Sequence, residues 1–89
     1  MTDITQTLTE RGSRYGKFKD HARIAQDLKA IVRLHAHGRP LADDQREALD
    51  MIMHKVARIL NGDPTYVDSW VDIAGYAQLV ADRLEGINR

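Results

Sequence analysis

Apolar positions recur along this chain at helical spacing, in blocks separated by glycine or proline. Thr2 or Asp3 can cap a short first helix that runs to about Arg11 and stops at Gly12. Gly12-Ser13-Arg14-Tyr15-Gly16 then reads as an ordered loop. Ile24, Leu28, Ile31 and His35 share one stripe and predict a second helix from about Lys19 to His37, ended by the Gly38-Arg39-Pro40 turn. The third helix has the clearest signal. Asp43 and Asp44 stand at its start, where the helix dipole favours negative charge. Leu49, Ile52, Met53, Val56, Ile59 and Leu60 form its apolar face, and Asn61-Gly62 closes it. Pro64 disfavours helix at Asp63, so residues 63–66 form a connector. A last helix begins at Val67 or Asp68 and runs to Leu84, with Trp70, Ile73, Ala77, Val80, Ala81 and Leu84 on its apolar face and Gly86 past its end.

No segment alternates with period two, so the predicted fold is all-α: a short N-terminal helix followed by a three-helix bundle, in a single domain over residues 1–89. Two prolines and five aromatics among 89 residues agree with helices better than with a sandwich or barrel. A chain this short buries only about 60–65% of its unfolded surface. With no cysteine it has no disulfide to compensate. Self-association into a homo-oligomer, a dimer or tetramer, is the expected source of further stability. Met51, an apolar side chain among polar neighbours, fits a helix face covered by another subunit.

Charge and composition narrow the function. Thirteen basic and thirteen acidic residues give a formal net charge of zero, which argues against a nucleic-acid binder relying on a basic excess. A helix-turn-helix reading of the middle helices would put Glu47 and Asp50 on the recognition helix, facing phosphates. The polar N-terminus does not read as a signal peptide. No apolar run approaches the roughly 18 residues of a membrane span. The absence of cysteine rules out thiolate metal sites and fits the cytoplasm.

Candidate chemistry lies on the last two helices. Asp68 and Asp72 are four apart on one surface, and Gly75, which costs a helix interior roughly 1 kcal/mol, suggests close approach of a backbone or ligand. The simpler alternative makes Asp68 a cap and Asp72 a solvated first-turn charge. Glu47, Asp50 and His54 share a face of the preceding helix, continued by Arg58 and flanked by Lys55. They form either a metal-capable row or a solvated polar face. Together Glu47, Asp50, Asp68 and Asp72 could hold Mg²⁺, which prefers oxygen ligands and bridges to phosphates. Lys55 and Arg58 could then hold the remaining phosphate charge.

Tyr76 or Trp70 could stack on a base, although Trp70 reads first as core. The segment from Arg11 through Arg14, Tyr15 and Lys17 is basic and glycine-punctuated, as phosphate-wrapping loops are, but lacks P-loop spacing. His21 and His35, on or near the apolar stripe, read as hydrogen-bonded core histidines.

Three segments carry a resemblance: Arg14-Tyr15-Gly16-Lys17-Phe18 with His21, His54-Lys55-Val56-Ala57-Arg58-Ile59-Leu60-Asn61-Gly62, and Asp68-Ser69-Trp70-Val71-Asp72-Ile73-Ala74-Gly75-Tyr76-Ala77. They resemble a small phage and prophage helical domain family of unknown function. More distantly, the layout is similar to MazG-like all-α nucleoside triphosphate pyrophosphatases. That likeness implies an oligomer with helix-borne carboxylates and Mg²⁺. Asp72 stands where the second acidic motif has its Asp, with Ser69 three before it and Asp68 one earlier. Glu47 with Asp50 is nearest to the first motif. By this resemblance Lys55, Arg58, Asn61, Tyr76, Arg14, Tyr15 and Lys17 would face a nucleotide. The chain is thus expected to handle nucleotides, as a Mg²⁺-dependent pyrophosphohydrolase or a degenerate relative. The alternative is a non-catalytic oligomer that binds a nucleotide or a host protein during infection.

Overall fold

The computed structural model describes residues 3–89 and contains four helices, with no strand among them. Helix α1 spans Ile4–Tyr15, α2 Phe18–Ala36, α3 Asp43–Asn61 and α4 Val67–Leu84. None is long and apolar enough to cross a membrane.

Asp3 caps α1 by accepting from the Thr5 N–H at 2.9 Å, while Thr2 lies outside the described residues. The helix does not stop at Gly12. It continues for another turn, and Gly16, at φ 77°, ends it by donating its N–H to the Gly12 carbonyl. A glycine inside a helix weakens it by only about 1 kcal/mol. Contacts from α3 to this last turn, described below, hold it helical. The N–H groups of the expected loop are therefore spent on the helix ladder and do not form a phosphate-wrapping nest.

The other helices follow their sequence signals closely. At the start of α3, Gln45 turns its side chain back to accept from the Ala42 N–H at 2.9 Å. The positive-φ residues Gly38 and Gly86 stand just beyond α2 and α4, where a left-handed turn lets the chain leave the helix.

Helix α3 is the centre of the fold. Helices α2 and α4 each pack along it and not on one another, and α1 rests on α2 and α3. The three long helices therefore form an open layer. Its core is thin: Ala25, Ala48, Met53 and Ala57 are the buried apolar residues among those described, and three of these four are alanines. Small side chains let the helix axes approach but bury little apolar area.

Helix α4 is rotated relative to the sequence expectation. Its inward face is Ser69, Asp72, Ile73, Tyr76, Val80 and Arg83, while Ala77, Ala81 and Leu84 point outward. Trp70, expected in the core, is 53% exposed. Polar contacts account for the rotation. Arg83 grips Asp44 with a two-pronged fork, Nε to Oδ2 at 2.7 Å and Nη2 to Oδ1 at 2.6 Å. Near the other end of α4, Lys55 Nζ lies 2.9 Å from Asp72 Oδ2. Charged contacts at both ends of α4 turn the polar side of the helix toward α3. Likewise Ile31 and His35, expected on the packing stripe of α2, are exposed.

Candidate functional site

The site is built where the end of α1 meets the end of α3. Gly16 and Gly62 interlock there. A Cβ on Gly62 would sit 2.2 Å from the Arg14 carbonyl oxygen, and one on Gly16 would sit 2.3 Å from the Asn61 carbonyl oxygen. Only residues without a side chain allow this approach. Asn61 fixes the joint: its Nδ2 donates to the carbonyls of Tyr15 at 2.9 Å and Lys17 at 3.0 Å. The Asp63 N–H donates to the Arg14 carbonyl at 2.7 Å. These bonds satisfy the Arg14 and Tyr15 carbonyls at the end of α1, and through the Lys17 carbonyl, which also accepts from the His21 N–H at 3.0 Å, they tie down the start of α2.

Beside this joint opens a cavity of about 620 Å³, within the range of small-molecule sites. Arg11, Tyr15 and Leu8 of α1 line one wall, Lys17 and Phe18 the next, and His21, His54 and Arg58 the rest. Three of these side chains are cationic and none is acidic. The Arg58 guanidinium lies over the Tyr15 ring, 4.1 Å from its centroid. Phe18 is 78% exposed at the rim, and its ring stacks on His21 at a centroid distance of 6.1 Å.

His21 is 6% exposed and pairs with His54, Nε2 to Nδ1 at 3.3 Å. The His21 Nδ1 atom is buried without a hydrogen-bond partner. Burial lowers the pKa of both imidazoles, and Arg58 lowers both further. His54 falls to about 4, with His21, Lys55 and Lys29 adding to the effect. The pair is therefore neutral at physiological pH, and the positive charge of the cavity comes from Arg11, Lys17 and Arg58.

Of the residues expected to face a nucleotide, the fold brings Tyr15, Lys17 and Arg58 into this cavity and makes Asn61 its brace. Arg14 turns to another side, donating to the Tyr66 hydroxyl at 3.2 Å. Lys55 is tied to Asp72. Tyr76 lies with Asp72 and Gly75 along a shallower groove of α4.

The four carboxylates expected to share a metal are dispersed in one chain. Glu47 is exposed. Asp50 lies on the α2 side of α3, near Lys29 and Arg33. Asp72 meets Lys55. Asp68 stands beside the Tyr66 hydroxyl, and its carboxylate holds that phenol above its ordinary range. Among the described residues no three acidic or histidine side chains gather as a metal ion requires. One chain alone therefore does not present a donor set that fits Mg²⁺. Nor does any atom come within 4 Å of a Cβ built on Gly75, so that glycine marks no close approach here.

Sequence reasoning missed Arg11, Phe18 and the histidine pair as one unit. The available signal was the run of basic and aromatic residues from Arg11 to Phe18. It concealed a cavity because residues 12–15 read as loop and not as the last turn of a helix.

No curated protein and no solved structure matches the chain. A family model does, over residues 2–84, a span that holds both glycines of the joint and every residue lining the cavity. The chain accordingly belongs to the DUF6378 family, a domain of unknown function.

Proposed function

We propose that this chain is a phage-type nucleotide-handling protein, and that it binds the phosphate end of a nucleotide in the cavity between α1, α2 and α3. One observation carries the reading: Arg11, Lys17 and Arg58 converge with the rings of Tyr15 and Phe18 on a cavity without an acidic side chain. Arginine and lysine suit a phosphate, the first through its planar fork and the second as a compact charge. An exposed aromatic at the rim suits a base, because every base has a face to stack. The neutral histidine pair leaves this cationic set without further charge to desolvate.

The reading is of binding without turnover, in the host cytoplasm. Mg²⁺ enters it with the nucleotide, as a counter-ion on the phosphates. A MazG-like pyrophosphohydrolase would need its carboxylates assembled from more than one chain, since those of one chain point apart.

Titration calorimetry with nucleoside mono-, di- and triphosphates, with and without Mg²⁺, tests the proposal. Saturable binding that grows with phosphate count, with no release of pyrophosphate or phosphate, is the expected result. Turnover with Mg²⁺ would replace binding by catalysis. No heat from any nucleotide would sink the nucleotide reading and point to a host protein as partner.

A further inference from the structure

The outward face of α4 is a helical seam without a partner. Val67, Trp70, Ala74, Ala77, Ala81 and Leu84 are all exposed, and they follow one another at spacings of three, four, three, four and three. That is the a/d spacing of a coiled coil, narrower than the stripe of a helix buried against its own domain. Val67 is 60% exposed, Trp70 53% and Leu84 60%.

We infer that this seam pairs with the same seam of a second copy of the chain, antiparallel about a two-fold axis between Ala74 and Ala77. Three observations select this occupant. First, the size of Trp70 favours that direction. An antiparallel pair sets each a position against a d position of the partner. Val67 then meets Leu84, Trp70 meets Ala81, and Ala74 meets Ala77, so the one large ring faces a methyl group. In a parallel pair the two Trp70 rings would be set against each other, whereas the antiparallel pair confines its all-alanine layers to the centre, where the axes cross closest. Second, the positions beside the seam, Val71, Ile73, Gln78 and Val80, carry no charge. Self-pairing therefore meets no like-charge repulsion, and nothing there selects a charged partner. Third, the polar atom of Trp70 is already satisfied: Nε1 donates to the Pro64 carbonyl at 2.8 Å. A second helix can cover the indole without stranding its N–H, and the ring is held in one orientation beforehand. At 18 residues, α4 offers a seam roughly 27 Å long. The same pairing would cover apolar surface that the thin core of one chain leaves in water.

Sedimentation equilibrium on the full chain, with two kinds of variant, tests the proposal. The wild-type chain should sediment at twice its own mass. Ala77→Glu, which sets a charge in the central layer, should bring it to one chain mass with unchanged helical circular dichroism. Because the protein has no cysteine, register can be read directly. Val67→Cys chains mixed with Leu84→Cys chains should form a disulfide under mild oxidation, and Val67→Cys chains alone should not. A single-chain mass for the wild type, or a folded Ala77→Glu dimer, overturns the inference. So does cross-linking of Val67→Cys chains alone. The cross-linking arm stands even where Ala77→Glu fails to fold. None of these readouts involves the nucleotide cavity, so this inference and that reading can fail separately.

Discussion

His21 and His54 sit ring edge to ring face, their centroids 4.6 Å apart, at the base of a cavity that also holds Arg58. Both are kept neutral by burial and by Arg58, His54 down to about 4. The folded chain therefore binds fewer protons than the unfolded chain between pH 6.5, the ordinary histidine value, and about 4. This contribution to stability is complete above pH 6.5 and is lost as pH falls toward 4. Urea midpoints measured through that window should decline in the wild type and decline less in His54→Gln. Hydrogen bonds and ion pairs hold the carboxyls of Asp44, Asp63 and Asp82 below their ordinary range, so their loss begins only below about pH 5, and the decline between pH 6.5 and 5 reports the histidines. A midpoint that stays flat down to pH 4 would contradict the buried pair.

The same pair should couple anion binding to protons. A phosphate among Arg11, Lys17 and Arg58 favours an imidazolium beside it, and so raises the histidine values on binding. Affinity for inorganic pyrophosphate should increase as pH falls from 6.5 while the protein remains folded. Calorimetry in buffers of different ionisation enthalpy should register net proton uptake. An affinity independent of pH across this range would separate the histidines from the ligand.

Arg58→Ala should weaken nucleotide binding by about 10- to 100-fold, the effect of losing a charge-assisted contact worth about 1.5–3 kcal/mol. Arg46→Ala, outside the cavity, should bind as the wild type does. Arg58→Ala also removes a charge that depresses both histidines, so its acid destabilisation, which still begins near pH 6.5, should be smaller and end at higher pH than in the wild type. Equal losses from the two substitutions would mean that overall charge, and not this cavity, attracts the ligand.

The joint between α1 and α3 should be sensitive to one added carbon. Gly62→Ala would press a methyl within 2.2 Å of the Arg14 carbonyl, against backbone that has no rotamer with which to yield. A loss of about 1–3 kcal/mol is expected, as for other overpacked sites. Rapid amide exchange throughout α1, with α3 and α4 still protected, would show that this helix detaches first. Gly12→Ala, where a Cβ meets nothing within 4 Å, is the control and should stabilise α1 slightly.

Asn61→Ala removes both bonds to the Tyr15 and Lys17 carbonyls and leaves the Tyr15 carbonyl to find water, while the Lys17 carbonyl keeps its bond from the His21 N–H. Unfolding free energy should fall by about 1–3 kcal/mol. Nucleotide affinity should fall too, because Lys17 and Phe18 begin from a backbone that Asn61 holds in place. Stability and affinity unchanged together would show that the brace is dispensable.

The helices are legible in the chain itself. Period and capping chemistry are local, and the last three helices lie within a residue or so of their predicted bounds. Local signals failed at Gly12. There the helix survives a glycine because Asn61 and Gly62, about 46 residues away in the chain, hold its last turn. They failed again on α4, whose apolar stripe is plain in the sequence but whose direction is not. Lys55 and Asp44 on α3 turn Asp72 and Arg83 inward, so Trp70 faces out. Which side chains would share a cavity was likewise a tertiary matter. Tyr15, His21 and Arg58 come from three helices and carry no mutual spacing to read. Periodicity records that a face will be covered. What covers it depends on contacts between residues far apart in the chain.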